Sequence, residues 1–281
     1  MVSLKNLKLL ARGGQAEIYE YGEGRVLRVL RGPQDEELLK NEIGIMQSLA
    51  GTPVHVPGVY EFLTVEGRPA AVVERIAGES MMDHIQRHPF EMRREAESLA
   101  SLHLELAKYG AVLGLRPSKE RARYLVNRAE ALEPDLREFV LGLLESLPEG
   151  SELCHGDFHP GNIIKADGRN YVIDWFGAYK GDIISDAAHT YLLFKNVPRY
   201  PGLSPLRHAA VKFAGNLLAG TYLTAIRKSR AFDQGQFSKW IAVKAAERAC
   251  FGSPGERQAL IRFLTACKKK STAPETWYRM L

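Results

Sequence analysis

Apolar positions change their spacing near residue 77 of this chain. Before that point, short apolar or alternating runs predict strands over 7–10, 17–21 and 25–30. Gly13-Gly14 interrupts the first pair, and Gly22-Glu23-Gly24 turns the second into a hairpin. Two further strands, 59–64 and 69–76, are joined at Glu66-Gly67-Arg68. Between the two pairs, Leu38, Leu39, Ile43, Met46 and Leu49 recur near helical spacing and predict a helix over 35–49. From about residue 80 onward the pattern is helical: 91–108, two helices within 121–147 parted near Pro134, then 185–194, 204–230, 236–251 and 256–270. The exception is 153–181, which reads as short strands and loops, and no internal repeat is present. The outline is α+β, with a small β-rich N-lobe over 1–76 and a larger, mainly helical C-lobe over 77–281, parted near Ala77-Gly78.

Composition narrows the class. At 281 residues, with 45% hydrophobic and 25% charged residues, the chain has an ordinary globular make-up and ample length for a buried core. Cys154, Cys250 and Cys267 are odd in number and show no metal-ligand spacing, so reduced thiols in a cytoplasmic protein are expected. The first residues are too short and interrupted in their apolar run for a signal peptide, and no stretch reaches the roughly 20 apolar residues of a membrane span. The net charge of +5 is uneven: residues 187–281 carry 16 Lys/Arg against 4 Asp/Glu, and residues 1–186 carry 22 against 29. Such asymmetry bears on partners rather than on fold.

The chemistry concentrates in the irregular stretch. It reads Cys154-His155-Gly156-Asp157-Phe158-His159-Pro160-Gly161-Asn162-Ile163-Ile164, followed by Val172-Ile173-Asp174-Trp175. Phosphoryl transfer asks for a carboxylate that orients or deprotonates the attacking hydroxyl, and for oxygen ligands to magnesium on the nucleotide phosphates. Asp157, Asn162 and Asp174 supply that set. The turn-like Ala166-Asp167-Gly168-Arg169 predicts a hairpin that sets residue 162 opposite 173, so that Asp174 falls beside Asn162. An amide oxygen and a carboxylate would then converge, as a hard cation requires. The order His-x-Asp-x-x-x-x-Asn, strand, turn, strand, Asp matches the kinase catalytic loop.

These strings, His-Gly-Asp-Phe-His-Pro-Gly-Asn and Val-Ile-Asp-Trp, resemble those of the aminoglycoside phosphotransferase and choline kinase family. The resemblance extends more weakly over most of the chain. It implies a bilobal protein-kinase-like fold, ATP or GTP with Mg2+, and a small hydroxyl-bearing substrate. Carried onto this sequence, it implies Asp157 as catalytic base, Asn162 and Asp174 as metal ligands, and a structural His155 that holds the loop.

The first lobe offers the rest of a nucleotide site. Gly13-Gly14-Gln15-Ala16 lies between two predicted strands, where a phosphate-covering loop without side-chain bulk belongs. Protein kinases place a Lys on the third strand over the phosphates. Here that position is Arg28, which the hairpin pairs with Ile18. Arg keeps the charge and can bind phosphate bidentately, although it is not interchangeable with Lys. Its carboxylate partner is expected at Glu42 on the following helix. Glu74 and Ile76 fall in the segment that the resemblance makes the hinge, where backbone groups read the adenine edge. His103 reads as a buried structural histidine. Asp186 reads as a helix cap, with a role beside the metal or catalytic loop as the alternative.

Substrate choice is expected in the basic region after the metal site. A polycation such as an aminoglycoside favours an acidic pocket, so a neutral or anionic hydroxyl compound is expected instead. Choline would want an aromatic cage; Trp240, Tyr222 and Trp277 are candidates, with core packing as the alternative. The expected activity is thus a magnesium-dependent small-molecule O-kinase. A protein kinase fits less well, because Asp174-Trp175-Phe176 is not Asp-Phe-Gly and leaves little room for an activation segment. A non-catalytic nucleotide- or nucleic-acid-binding module is the third reading, opposed by the intact Asp157/Asn162/Asp174 set. Neither nucleic acid nor membrane is expected as a partner, and oligomeric state is not read from the sequence.

Overall fold

The computed structural model describes residues 3–32, 36–110, 114–196, 202 and 204–281. Its elements in chain order are β1 (Leu9–Arg12), β2 (Ala16–Glu20), β3 (Arg25–Leu30), α1 (Glu36–Leu49), β4 (Val59–Val65) and β5 (Arg68–Glu74). Then come β6 (Glu79–Ser80), α2 (Met81–Arg87), α3 (Met92–Leu106), α4 (Ser118–Arg128), α5 (Pro134–Glu145) and β7 (Glu152–Cys154). The remainder is β8 (Ile163–Ala166), β9 (Arg169–Val172), β10 (Tyr179–Gly181), α6 (Ile183–Lys195), α7 (Pro205–Ser229), α8 (Gln234–Ala249) and α9 (Pro254–Lys269). The expected start of α1 at Asp35 lies outside the described residues. The first strand begins two residues later than its apolar pattern suggests. Leu4–Asn6 forms a 3-10 turn that buries Leu4 and takes the Leu7 N–H, so extended pairing starts only at Leu9.

Contacts divide the chain into two units. The first comprises residues 1–87, 112–114 and 160–178. Its main sheet is antiparallel in the order β1-β2-β3-β5-β4. The inner strand β5, paired on both sides, is buried over five consecutive residues, which explains its unbroken apolar run. On one face Leu4, Tyr19, Leu27, Val29, Val65, Ala70 and Val72 form a core. Helix α1 packs on β5 and β4 and buries Leu39, Ile43, Met46 and Leu49. A second small sheet, β6-β8-β9, belongs to the same unit. Gly78 enters it under a tight constraint: a Cβ there would lie 2.2 Å from the Lys165 carbonyl oxygen, so only glycine lets β6 reach β8.

The second unit comprises residues 88–111, 115–159 and 179–281, and is mainly helical. Helices α6 and α8 pack on each other and are buried nearly all round, as their weakly amphipathic sequences require. Helices α3, α7, α5, α4 and α9 surround them. Strands β7 and β10 pair antiparallel beside them. No helix among the described residues is long and apolar enough to cross a membrane.

Helix α6 starts at Ile183, and its cap is Asp182, whose carboxylate accepts the Ile184 N–H at 2.9 Å. The expected cap at Asp186 is therefore corrected; Asp186 lies inside the first turn, fully buried. Asp182→Ala is expected to cost about 1 kcal/mol of stability, the usual worth of an N-cap, read by urea unfolding.

Candidate active site

The predicted site residues fall into two groups, one in each unit. The first unit holds Gly13, Gly14, Gln15, Ala16, Arg28, Glu42, Glu74, Ile76, Asn162 and Asp174; the second holds Asp157.

In the first unit the glycine loop joins β1 to β2. The Gly13 N–H reaches the Ala16 carbonyl at 2.9 Å, and the Gln15 carbonyl accepts from Arg31 N–H at 3.0 Å. Gly13 to Gln15 are exposed. A Cβ on Gly14 would meet nothing within 4 Å, and neither glycine has a positive φ. Neither packing nor backbone strain therefore demands glycine at Gly14.

The Gly22-Glu23-Gly24 turn sets Ile18 opposite Arg28 on β3. From there the Arg28 guanidinium spans two carboxylates. Nη1 bonds Glu42 Oε1 on α1, and Nη2 lies 3.0 Å from Asp174 Oδ1. The Glu42 side chain is 1% exposed, Arg28 13% and Asp174 42%, so one arm of the fork is interior and the other reaches the surface. Burial pushes the Glu42 carboxyl up against the pull of Arg28. Glu42 Oε1 also accepts the Trp175 N–H at 3.2 Å, while its Oε2 has no hydrogen-bond partner among the described residues.

The β8–β9 hairpin turns at Asp167-Gly168, both with positive φ, the conformation that Asp-Gly favours in a two-residue hairpin loop. Its far end pairs Ile163 with Val172, and the Ile173 N–H reaches the Asn162 carbonyl at 3.0 Å. Asp174 follows at once, in the left-handed region at φ 65°, which aspartate tolerates better than most residues. Trp175 is buried and its Nε1–H bonds the Val172 carbonyl at 3.2 Å, fixing the chain on both sides of Asp174. Glu74 and Ile76 lie at the other end of β5. The Glu74 N–H and carboxylate are both engaged with Gly58, at 2.8 and 3.0 Å, and the Ile76 carbonyl accepts from Gly78 N–H.

In the second unit, β7 leads into the loop that carries Asp157. Gly156 has φ 81°, a turn that other residues take only with strain. The loop is held from inside. Asp186 accepts from His155 N–H at 2.6 Å, from Gly156 N–H at 3.0 Å and bonds His103 Nε2 at 3.1 Å. His103 Nδ1 in turn meets the Tyr222 hydroxyl at 2.6 Å, and its ring stacks on Phe158 at 4.1 Å. Thr190 donates to the Phe158 carbonyl at 2.7 Å. His155 is fully buried and its Nδ1 accepts the Asp157 N–H at 3.2 Å, while Asp157 keeps 41% of its side chain exposed. Burial pushes the Asp157 carboxyl up; the His159 hydrogen bond and the fields of His159, His189 and His155 outweigh it and hold the group well below the usual carboxylate range. His159 Nε2 lies 3.5 Å from Asp157 Oδ2. His189, on α6, is pushed down to about 4, mainly by burial.

His159 and His189 are missed by sequence reasoning, and the place of Asp186 beside the Asp157 loop entered it only as the alternative to a helix cap. His159 stands in the motif itself and could have been singled out there. His189 has no local signal.

The basic region after α6 is partly neutralised. Lys244 is 2% exposed, bonds Glu247 at 2.9 Å and lies 4.4 Å over the Tyr179 ring. Arg121 also pairs with Glu247, Arg248 with Glu256, and Arg230 with Glu152 and Asp182. Trp240, Tyr222 and Trp277 are all core residues and form no exposed aromatic cage.

Comparison with known proteins follows the same lines. No curated protein matches the chain by sequence. Among solved structures, an amicoumacin kinase in complex with AMP-PNP, Ca2+ and its ligand Ami aligns with a TM-score of 0.62 and 13% identity, over 95% of this chain and 89% of that one. A thermostable mutant of the aminoglycoside phosphotransferase APH(4)-Ia aligns with a TM-score of 0.59 and 16% identity, over 98% and 93%. The GDP and kanamycin complex of a second aminoglycoside phosphotransferase, APH(2")-IIia, gives 0.58 and 18%, over 97% and 94%. At these identities the likeness establishes the kinase-like fold. The sequence profile of the phosphotransferase enzyme family matches residues 7–216, most of the chain, and the chain belongs to that family.

Proposed function

We propose that this phosphotransferase moves the γ-phosphoryl group of ATP or GTP to a hydroxyl of a small molecule, with Asp157 as base and Asn162 and Asp174 as ligands to Mg2+. The observation that carries the reading is the first unit's cluster. A buried Arg28–Glu42 pair touches Asp174, and at the mouth of the β8–β9 hairpin the Ile173 N–H bonds the Asn162 carbonyl, one residue before Asp174.

The donor set fits magnesium: one amide oxygen and one partly exposed carboxylate, both hard donors. Magnesium usually takes one or two protein carboxylates and fills its shell with water and phosphate oxygens. When bound, it would supply neutralisation of charge on the phosphate oxygens. Arg28 presents a guanidinium fork suited to phosphate. The exposed glycine loop leaves room for phosphates to approach its backbone N–H groups. Glu74 and Ile76 are the proposed adenine-side segment.

Asp157 is ionised at neutral pH, so it accepts a hydrogen bond from the acceptor hydroxyl and orients it. As the oxygen–phosphorus bond forms and the bridging β–γ oxygen bond breaks, the hydroxyl proton passes to the Asp157 carboxylate and the nucleoside diphosphate departs. A base this acidic serves mainly by alignment, taking the proton late, when the attacking oxygen has become acidic. The named partners of the aligned kinases, AMP-PNP, GDP, kanamycin and Ami, support a nucleotide donor and a small acceptor. The surplus of Lys/Arg over 187–281 favours a neutral or anionic acceptor.

The test is thermal. AMP-PNP or GDP at about a hundred times Kd is expected to raise the melting temperature by about 5–10 °C, more with Mg2+ than without. In Asp174→Ala the magnesium-dependent part is expected to vanish. An unchanged magnesium effect there would remove Asp174 from the metal site.

A further inference from the structure

The Arg28 fork divides its two Nη atoms unequally. The Glu42 arm is interior: the carboxylate is 1% exposed, is held also by the Trp175 N–H, and ties α1 to β3. The Asp174 arm ends on a carboxylate 42% exposed, where water and ions compete for the same oxygens. Breaking the first arm strands a buried charge; releasing the second does not. The fork therefore has a fixed arm and a releasable arm. The releasable arm lies 3.0 Å from Asp174 Oδ1, on the carboxylate assigned above to the divalent cation.

Two cations cannot share one exposed carboxylate at contact distance without mutual repulsion, and a divalent ion repels a guanidinium twice as strongly as a second unit charge would. We infer that Arg28 and the divalent cation compete for Asp174, and that nucleotide phosphates favour cation binding by drawing the free Nη arm of Arg28 away from Asp174. By reciprocity the cation then raises nucleotide affinity by the same factor. An arginine suits this arrangement, because its rigid fork keeps one nitrogen on Glu42 while the other changes partner. The inference rests on the metal-site reading above and adds a coupling that the reading does not require.

Mn2+ alone is the probe, with free ion counted by electron paramagnetic resonance. Arg28→Met is expected to bind Mn2+ without nucleotide about fivefold or more tighter than wild type, the lower range of coupling effects. Because Arg28→Met leaves Glu42 buried without its cation, the double variant Arg28→Met/Glu42→Gln is measured beside it. Gln keeps an oxygen for the Trp175 N–H and carries no charge. In both variants the additional gain in Mn2+ affinity on adding AMP-PNP is expected to shrink. If both bind Mn2+ no tighter than wild type while Asp174→Asn loses it, the competition is overturned and the metal site stands. If Asp174→Asn binds Mn2+ as wild type does, the metal-site reading fails and the inference with it.

Discussion

Asp157→Asn is expected to leave the protein folded and able to bind nucleotide, while its turnover falls by roughly 10²–10⁴, the range for loss of a general base. The substitution keeps size and most hydrogen bonding. It leaves untouched the contacts that hold the loop through the His155 and Gly156 N–H groups to Asp186 and through Phe158 to Thr190. The carboxylate itself is 41% exposed and meets His159 at 3.5 Å, a partner that an amide oxygen can retain. Stability should therefore change little. A merely structural Asp157 makes the opposite forecast, with melting temperature and nucleotide affinity falling together and turnover of the folded fraction preserved. Melting temperature, nucleotide affinity and rate, taken on one preparation, separate the two. A well-folded Asp157→Asn protein with near wild-type turnover would end the catalytic assignment.

Asp186→Ala should behave in the reverse way. It removes a buried carboxylate that accepts from two backbone N–H groups and bonds a buried histidine, so each of these loses that bond. The expected loss is about 3–5 kcal/mol of unfolding free energy, measured by urea denaturation with an unchanged m-value. The sign of the pH dependence follows from the direction of the shift. Burial raises the Asp186 carboxyl, but the bond and charge of His103 and the fields of His155 and His189 lower it further, so its folded value lies below the unfolded one. Its contribution is therefore full above about pH 4, the unfolded carboxyl value, and is lost as pH falls through the folded value. His189, neutral and buried, acts earlier: the unfolded chain takes its proton first as pH falls from 6.5 toward 4, and stability drops over that window. The gap between wild type and Asp186→Ala should stay constant from neutral pH down to about 4 and narrow only below it. A gap that closes between pH 7 and 5 would show that Asp186 is not the ionised brace of the loop.

Where the first group of predicted residues lies was legible because that placement follows from local rules. A Gly-Glu-Gly turn fixes the register that sets Arg28 opposite Ile18, and an Asp-Gly turn sets Asn162 at the mouth of a hairpin with Asp174 next to it. Turn chemistry and a side-chain period of two determine such placements within a dozen residues, whatever the rest of the chain does. Glu42 was legible as a carboxylate on the helix that follows β3, whereas its burial among the apolar positions of α1 was not.

Asp186 shows the limit. Its position near a helix start suggested a cap, yet Asp182 fills that place and Asp186 bonds His155 and His103, which are 31 and 83 residues away in the chain. Lys244 is similar: a sequence counts it with the surface cations, whereas folding buries it against Glu247 and the Tyr179 ring. The sequence alone thus determined the order of the first five strands and of the longer helices, the two hairpin registers and the residue types of phosphoryl-transfer chemistry. Only the tertiary structure decided which charges are interior, which carboxylate braces the loop that carries Asp157, and that the Arg28 guanidinium is divided between Glu42 and Asp174. The reason is that burial and long-range pairing depend on what packs across the core, and no local pattern in an amino-acid sequence carries that information.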